Sequence, residues 1–315
     1  MMTQRSKSSL FNRISGQFFS QGQSAVRPWR NIVSMHFHLF TAVLLVIASA
    51  QPARSVDYHT EKDLVYVSPA EKDSYRTSQC RMDFYYPEGL KDFPTLVWFH
   101  GGGLTGGTKA VPEELKKQGF AIIAATYRLS PKVKAPAYIE DAAAAVAWAW
   151  ANIEKYGGSK KKIFVGGHSA GAYLASMIGL EKKWLARYGI DPDELAGLLP
   201  MSGQMITHYT IRQEAGITDT RPVIDQYAPL FHVHQNAPPM LLITGDRELE
   251  MLGRYEENAY MNRMMKLVKH EKTTFYELDG YNHGGMIKGA YPLMIKFMKE
   301  TLATESAAKP AKKAG

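Results

Sequence analysis

The first sign of chemistry in this 315-residue chain is the stretch Ile163-Phe164-Val165-Gly166-Gly167-His168-Ser169-Ala170-Gly171. An apolar run breaks on glycines, presents a serine and opens a helix, which is the pattern of a nucleophile elbow. A serine hydroxyl is a poor nucleophile unless it is held clear of ordinary backbone crowding and handed to a base. A sharp strand-to-helix turn does the first of these. Gly167 and Gly171 stand where such a turn brings neighbouring backbones too close for a side chain. The helix that follows aims free N–H groups and a positive dipole end at the serine. Three further features have residue types suited to a site. The loop His100-Gly101-Gly102-Gly103-Leu104-Thr105-Gly106-Gly107 can turn several N–H groups toward one point. Asp246 follows the apolar run Met240–Thr244, and His283 lies in the loop Asp279-Gly280-Tyr281-Asn282-His283-Gly284-Gly285.

The elements needed to position these residues are legible as alternating strands and helices. Strands are predicted at 63–67, 81–86, 94–99, 120–127, 163–168, 198–203, 240–244 and 273–278, the run 94–99 being apolar enough for burial on both faces. Helices are predicted at 111–118, 138–156, 170–180, 254–269 and 291–301. This order predicts an α/β fold with a mostly parallel central sheet and helices on both faces. Such sheets gather their working residues at the carboxyl ends of the strands. Residues 204–239 follow neither period, so they are expected to form a small cap or lid insertion, with Gln204 and Met205 at its root near a substrate pocket.

Together, His-Gly-Gly-Gly at 100–103, Tyr-Arg-Leu-Ser-Pro at 127–131, Gly-His-Ser-Ala-Gly at 167–171 and the late Asp246 and His283 resemble the α/β-hydrolase superfamily. Within it the likeness is to the esterase and lipase group, including hormone-sensitive-lipase-like enzymes, bacterial carboxylesterases and kynurenine-formamidase-like relatives. The resemblance implies Ser169 as nucleophile, His283 as base, Asp246 as the acid that orients it, and the N–H groups of Gly101, Gly102 and Ala170 as an oxyanion hole. It also implies an acyl-enzyme route to ester hydrolysis on small or medium acyl groups, with no metal or organic cofactor. Pocket candidates are Leu104, Gln204, Met205 and Tyr281. His168 stands where hormone-sensitive-lipase-like enzymes usually carry Asp, which moves the chain toward the carboxylesterase and formamidase branches. Glu248, in Gly245-Asp246-Arg247-Glu248, is the alternative acid. An amidase, formamidase or peptidase could run on the same triad, and an inactive hydrolase-fold binding protein is the reading from a different class.

Composition narrows the remaining classes. With 45% hydrophobic residues the chain can bury a sizeable core, expected over residues 51–303, with residues 304–315 a disordered Ala/Lys-rich tail. The formal charge of +8 is accounted for by Arg5, Lys7, Arg13, Arg27 and Arg30 at one end and Lys309, Lys312 and Lys313 at the other. The body between is balanced, so nucleic acid is not an expected partner. Leu39–Ile47 followed by Ala48-Ser49-Ala50 reads as a secretory signal within 1–50, with Met35 as an alternative start, and no stable membrane span is expected after cleavage. The expected location is therefore secreted or periplasmic, where the single Cys80 can form no disulfide within the chain. Arg128 and Asp141 are expected to brace a loop as an ion pair. His232 and His234 have the spacing of a strand-borne metal pair, but further ligands at compatible spacing are not apparent.

Overall fold

The computed structural model describes residues 56–251 and 253–308, and the expected signal region 1–50 lies outside them. Eight strands form one sheet: β1 (Tyr58–Val65), β2 (Arg81–Pro87), β3 (Phe93–Phe99), β4 (Ala121–Ala125), β5 (Gly158–His168), β6 (Gly197–Met201), β7 (Met240–Gly245) and β8 (Thr273–Leu278). Their order is β1-β2-β4-β3-β5-β6-β7-β8. The pairs β1–β2 and β2–β4 are antiparallel and every later pair is parallel, so the carboxyl ends of β3, β5, β6, β7 and β8 share one rim. The α/β architecture expected from the element order is the one observed.

Helices occur at α1 (Ser74–Gln79), α2 (Ala137–Asn152), α3 (Ala170–Leu180), α4 (Lys183–Ala186), α5 (Tyr209–Glu214), α6 (Arg254–Leu267) and α7 (Met286–Ala308). The alternation of β3 explains why the sheet is covered twice. Phe93, Val97 and Phe99 face the core shared with α2, α3 and α6, while Leu96 and Trp98 face the one shared with α7. Helix α3 is buried along its whole length, which its Ala/Gly-rich sequence permits at the centre of the fold.

The first strand runs over Tyr58–Val65 rather than 63–67, the short helices α1 and α4 were not expected, and three further elements also differ from the sequence expectation. The helix predicted at 111–118 is only a 3-10 turn, Glu113–Leu115, because Pro112 cannot extend it backward and Lys117 is left-handed at φ 58°. Helix α7 starts five residues earlier than predicted and runs through Pro292, since Met286, Ala290, Met294 and Met298 keep one buried stripe across it. It continues to Ala308, into the stretch expected to be a disordered tail. The patternless insertion holds α5 and a 3-10 turn at Pro229–His232, both too short to register as a helical period.

Candidate active site

Ser169 sits between the end of β5 and the first residue of α3 with φ 56° and ψ −116°, a strained conformation for a residue with a Cβ. Its surroundings explain how the strain persists. A Cβ on Gly171 would lie 2.1 Å from the Phe99 carbonyl oxygen, and one on Gly167 would lie 2.5 Å from the Gly171 carbonyl carbon. Only glycine at both positions lets β3, β5 and α3 close on the turn. The Ser169 N–H donates to Met201 O at 2.9 Å and its carbonyl accepts from Tyr173 N at 3.0 Å, so the backbone is tied on both sides.

The glycine loop lies against this turn. A Cβ on Gly101 would stand 3.3 Å from Ser169 Cβ, so the backbone of residue 101 flanks the nucleophile. Tyr127 holds the loop by donating its hydroxyl to His100 O at 2.8 Å, and the His100 Nδ1–H donates to Gly101 O at 2.7 Å. Gly102 O is occupied by the N–H groups of Thr105 and Gly106. The N–H groups of Gly101 and Gly102 have no acceptor among the described residues. Ala170, as the first residue of α3, presents its N–H outward from the helix end.

His283 is held from the other side. Its Nδ1 lies 2.8 Å from Glu250 Oε2 and 2.9 Å from Ser202 Oγ. Glu250 is 1% exposed at its side chain against 20% for His283, so this is a buried carboxylate beneath a partly open imidazole. Burial pushes the Glu250 carboxyl up, but hydrogen bonds from His283, Ser202 and the Gly245 N–H outweigh it and bring the carboxyl down to about 2. With Nδ1 engaged, Nε2 is the ring atom left to exchange a proton. The elbow and the imidazole are joined through His168: its Nε2–H donates to His283 O at 2.9 Å, and the two ring centroids are 4.6 Å apart. The Ser169 hydroxyl itself makes no hydrogen bond to the imidazole in this structure.

The acid expected from the sequence is elsewhere. Asp246 accepts from Gly280 N and Glu248 N, each at 2.8 Å, and these N–H groups hold its carboxyl below the usual range. Glu248 is exposed and contributes only that backbone donor. The cause is one helical turn. Glu250 N donates to Asp246 O at 2.8 Å, which swings the Glu250 side chain back over the end of β7, where its Oε1 accepts from Gly245 N at 2.9 Å. Asp246 caps the loop while Glu250 reaches the imidazole. The signal was in the sequence as an i, i+4 pair of acids, Asp246 and Glu250, after a strand.

Known esterases are similar to this chain in sequence and in fold. The family profile described as BD-FAE matches residues 82–195. Esterase LipC of Mycobacterium tuberculosis is 28% identical over 217 residues, covering 62% of this chain and 53% of that protein. Carboxylic ester hydrolase LipN of the same organism is 34% identical over 110 residues, covering 33% of this chain and 29% of that protein. A truncated carbohydrate esterase from gut microbiota superposes with a TM-score of 0.66 at 17% identity, over 80% of this chain and 99% of that one. The chain has the fold of these esterases and is similar in sequence to α/β-hydrolases of the esterase and lipase group. It spans about half the length or less of these two curated relatives. Pyrobaculum calidifontis esterase shares the fold at a TM-score of 0.57 and 21% identity, over 81% of this chain and 87% of that one.

The segment matched by the family profile includes the glycine loop and the elbow, whereas Glu250 and His283 lie beyond it. Of the four pocket candidates, Leu104, Gln204 and Met205 are buried and only Tyr281, 46% exposed, opens to solvent. Gln204 Oε1 accepts from Tyr209 N at 2.9 Å and Met205 N donates to Glu257 Oε2 at 2.8 Å, so these two anchor the insertion. Arg128 and Asp141 form the expected ion pair at 2.7 Å, with Arg76 on the other carboxylate oxygen at 2.9 Å. His232 and His234 pair with different carboxylates, Glu181 at 2.8 Å and Asp193 at 2.9 Å, and no cluster able to hold a metal ion occurs among the described residues.

Proposed function

We propose that the protein is a serine carboxylesterase in which Ser169, His283 and Glu250 act as the triad. The observation that carries this reading is the 2.8 Å contact between a buried carboxylate and the Nδ1 of an imidazole whose loop is bonded to the residue before the strained serine. In the first half-reaction Ser169 Oγ attacks the ester carbonyl carbon and its proton passes to His283 Nε2. Glu250 stabilises the imidazolium across Nδ1. The N–H groups of Gly101, Gly102 and Ala170 are the donors suited to the tetrahedral oxyanion, and fixed donors cost no reorganisation when charge develops there. Collapse breaks the bond to the alcohol, which leaves with the proton from Nε2. Water then repeats the sequence on the acyl-enzyme and regenerates Ser169. None of these steps needs a cofactor.

Short or medium acyl chains are the expected substrates, and a series of aryl esters of increasing acyl length tests this. LipC and LipN, an esterase and a carboxylic ester hydrolase, support esters over amides. Export is proposed from the sequence of residues 39–50 alone, and N-terminal sequencing of the mature protein tests it. The enzymatic reading is tested by turnover of aryl acetates, longer acyl esters and N-formyl amides. Esters should turn over, and Ser169→Ala should lose on the order of a millionfold in kcat. An unchanged rate in that variant would remove the reading.

A further inference from the structure

Ser202 stands at the end of β6 with a left-handed backbone, φ 48°, although it carries a Cβ and is fully buried. Nothing in a tight turn demands this, because glycine would meet the backbone requirement at no cost. What the conformation does is aim a hydroxyl. Ser202 Oγ lies 2.9 Å from His283 Nδ1, the same ring atom that Glu250 Oε2 meets at 2.8 Å. Its backbone is clamped at both ends: the N–H donates to Ile243 O at 2.7 Å, and the carbonyl accepts from the guanidinium of Arg254, itself buried.

We propose that Ser202 is a positioning residue that locks the Glu250 carboxylate and the Nδ1 edge of His283 into one arrangement. The proposal rests on the triad reading given above. With the proton on Nδ1, the Ser202 hydroxyl can only accept there, so its own proton turns away from the ring. Its lone pairs are then turned to share the Nδ1–H, which has two acceptors within 2.9 Å. The imidazole cannot rotate about its axis without losing both. Strain at Ser202 is the cost of holding the hydroxyl there, and Arg254 prevents the backbone from relaxing.

Two substitutions separate positioning from support of the fold. Ser202→Gly removes the hydroxyl and relieves the left-handed backbone, while Ser202→Ala removes the hydroxyl and keeps the strain. Both should lower kcat about tenfold or more, the loss expected for one hydrogen bond to a charged group, with KM little changed. Ser202→Gly should keep the parent's cooperative unfolding transition, and the far-downfield proton resonance of the His283 Nδ1–H should move in both variants. Full kcat in Ser202→Gly with an unmoved resonance would overturn the proposal. Fluorophosphonate labelling of the parent protects the inference from a confusion: failure to label Ser169 refutes the triad reading, whereas normal labelling of the parent with an unimpaired Ser202→Gly refutes the role of Ser202 alone.

Discussion

Replacing Glu250 with glutamine should do far more damage than replacing Asp246 with asparagine. The Glu250 carboxylate meets His283 Nδ1 at 2.8 Å, is almost wholly enclosed, and is held by its hydrogen bonds well below the usual carboxylate range. A glutamine there presents no charge to balance the imidazolium. Its amide can also turn an N–H toward Nδ1, which favours the tautomer with the proton on Nε2, the wrong one for a base. Where a buried triad carboxylate has been neutralised in other serine hydrolases, kcat fell by about 10⁴, so about 10³ to 10⁴ is expected, or roughly 4 to 5.5 kcal/mol of barrier. The Asp246 carboxylate accepts from loop N–H groups of Gly280 and Glu248 and does not reach the imidazole, so its asparagine variant should lose only a little stability and keep kcat within a few-fold. Initial rates on an aryl acetate, alongside urea unfolding of both variants, measure these effects. A larger kcat loss in Asp246→Asn than in Glu250→Gln would refute the assignment of the acid.

Acidification should also unfold the protein in a way that His168 explains in part. Burial, with His283 nearby, lowers this imidazole from 6.5 to about 4, so the unfolded chain takes the proton first. Its stabilising contribution is present above pH 6.5 and is lost as pH falls from there toward 4, about 2 kcal/mol between pH 7 and pH 5. Urea unfolding at the two pH values should show a smaller difference in His168→Asn, and an equal difference would contradict this. Gly171→Ala places a methyl 2.1 Å from Phe99 O, a backbone atom that cannot step aside. It should cost roughly 1 to 3 kcal/mol in thermal unfolding and remove activity with the elbow geometry, and a fully active variant would show that the turn tolerates the bulk.

The sheet was readable from the sequence because β3, β5 and β7 are apolar runs that stop on glycine or on a loop, leaving little choice of period. The elbow was readable for a related reason: glycines at 167 and 171 around a serine have few uses besides close packing of backbones. The acid was not. Asp246 follows the strand directly, and distance along the chain favoured it, whereas the deciding fact is a turn that returns Glu250 to the strand end. Ser202 was invisible as a functional residue since its role depends on a backbone angle that composition does not encode. In the insertion, short helices are held by tertiary bonds such as Tyr209 N to Gln204 and Met205 N to Glu257, which leave no periodic trace.

The most direct test is to treat the protein with a fluorophosphonate and locate the adduct by peptide mass mapping, in the parent and in His283→Ala. The account predicts a single phosphonylated serine, Ser169, modified far more slowly when the imidazole is gone. A protein that hydrolyses esters yet carries its adduct on another residue, or that modifies Ser169 equally fast without His283, would contradict it.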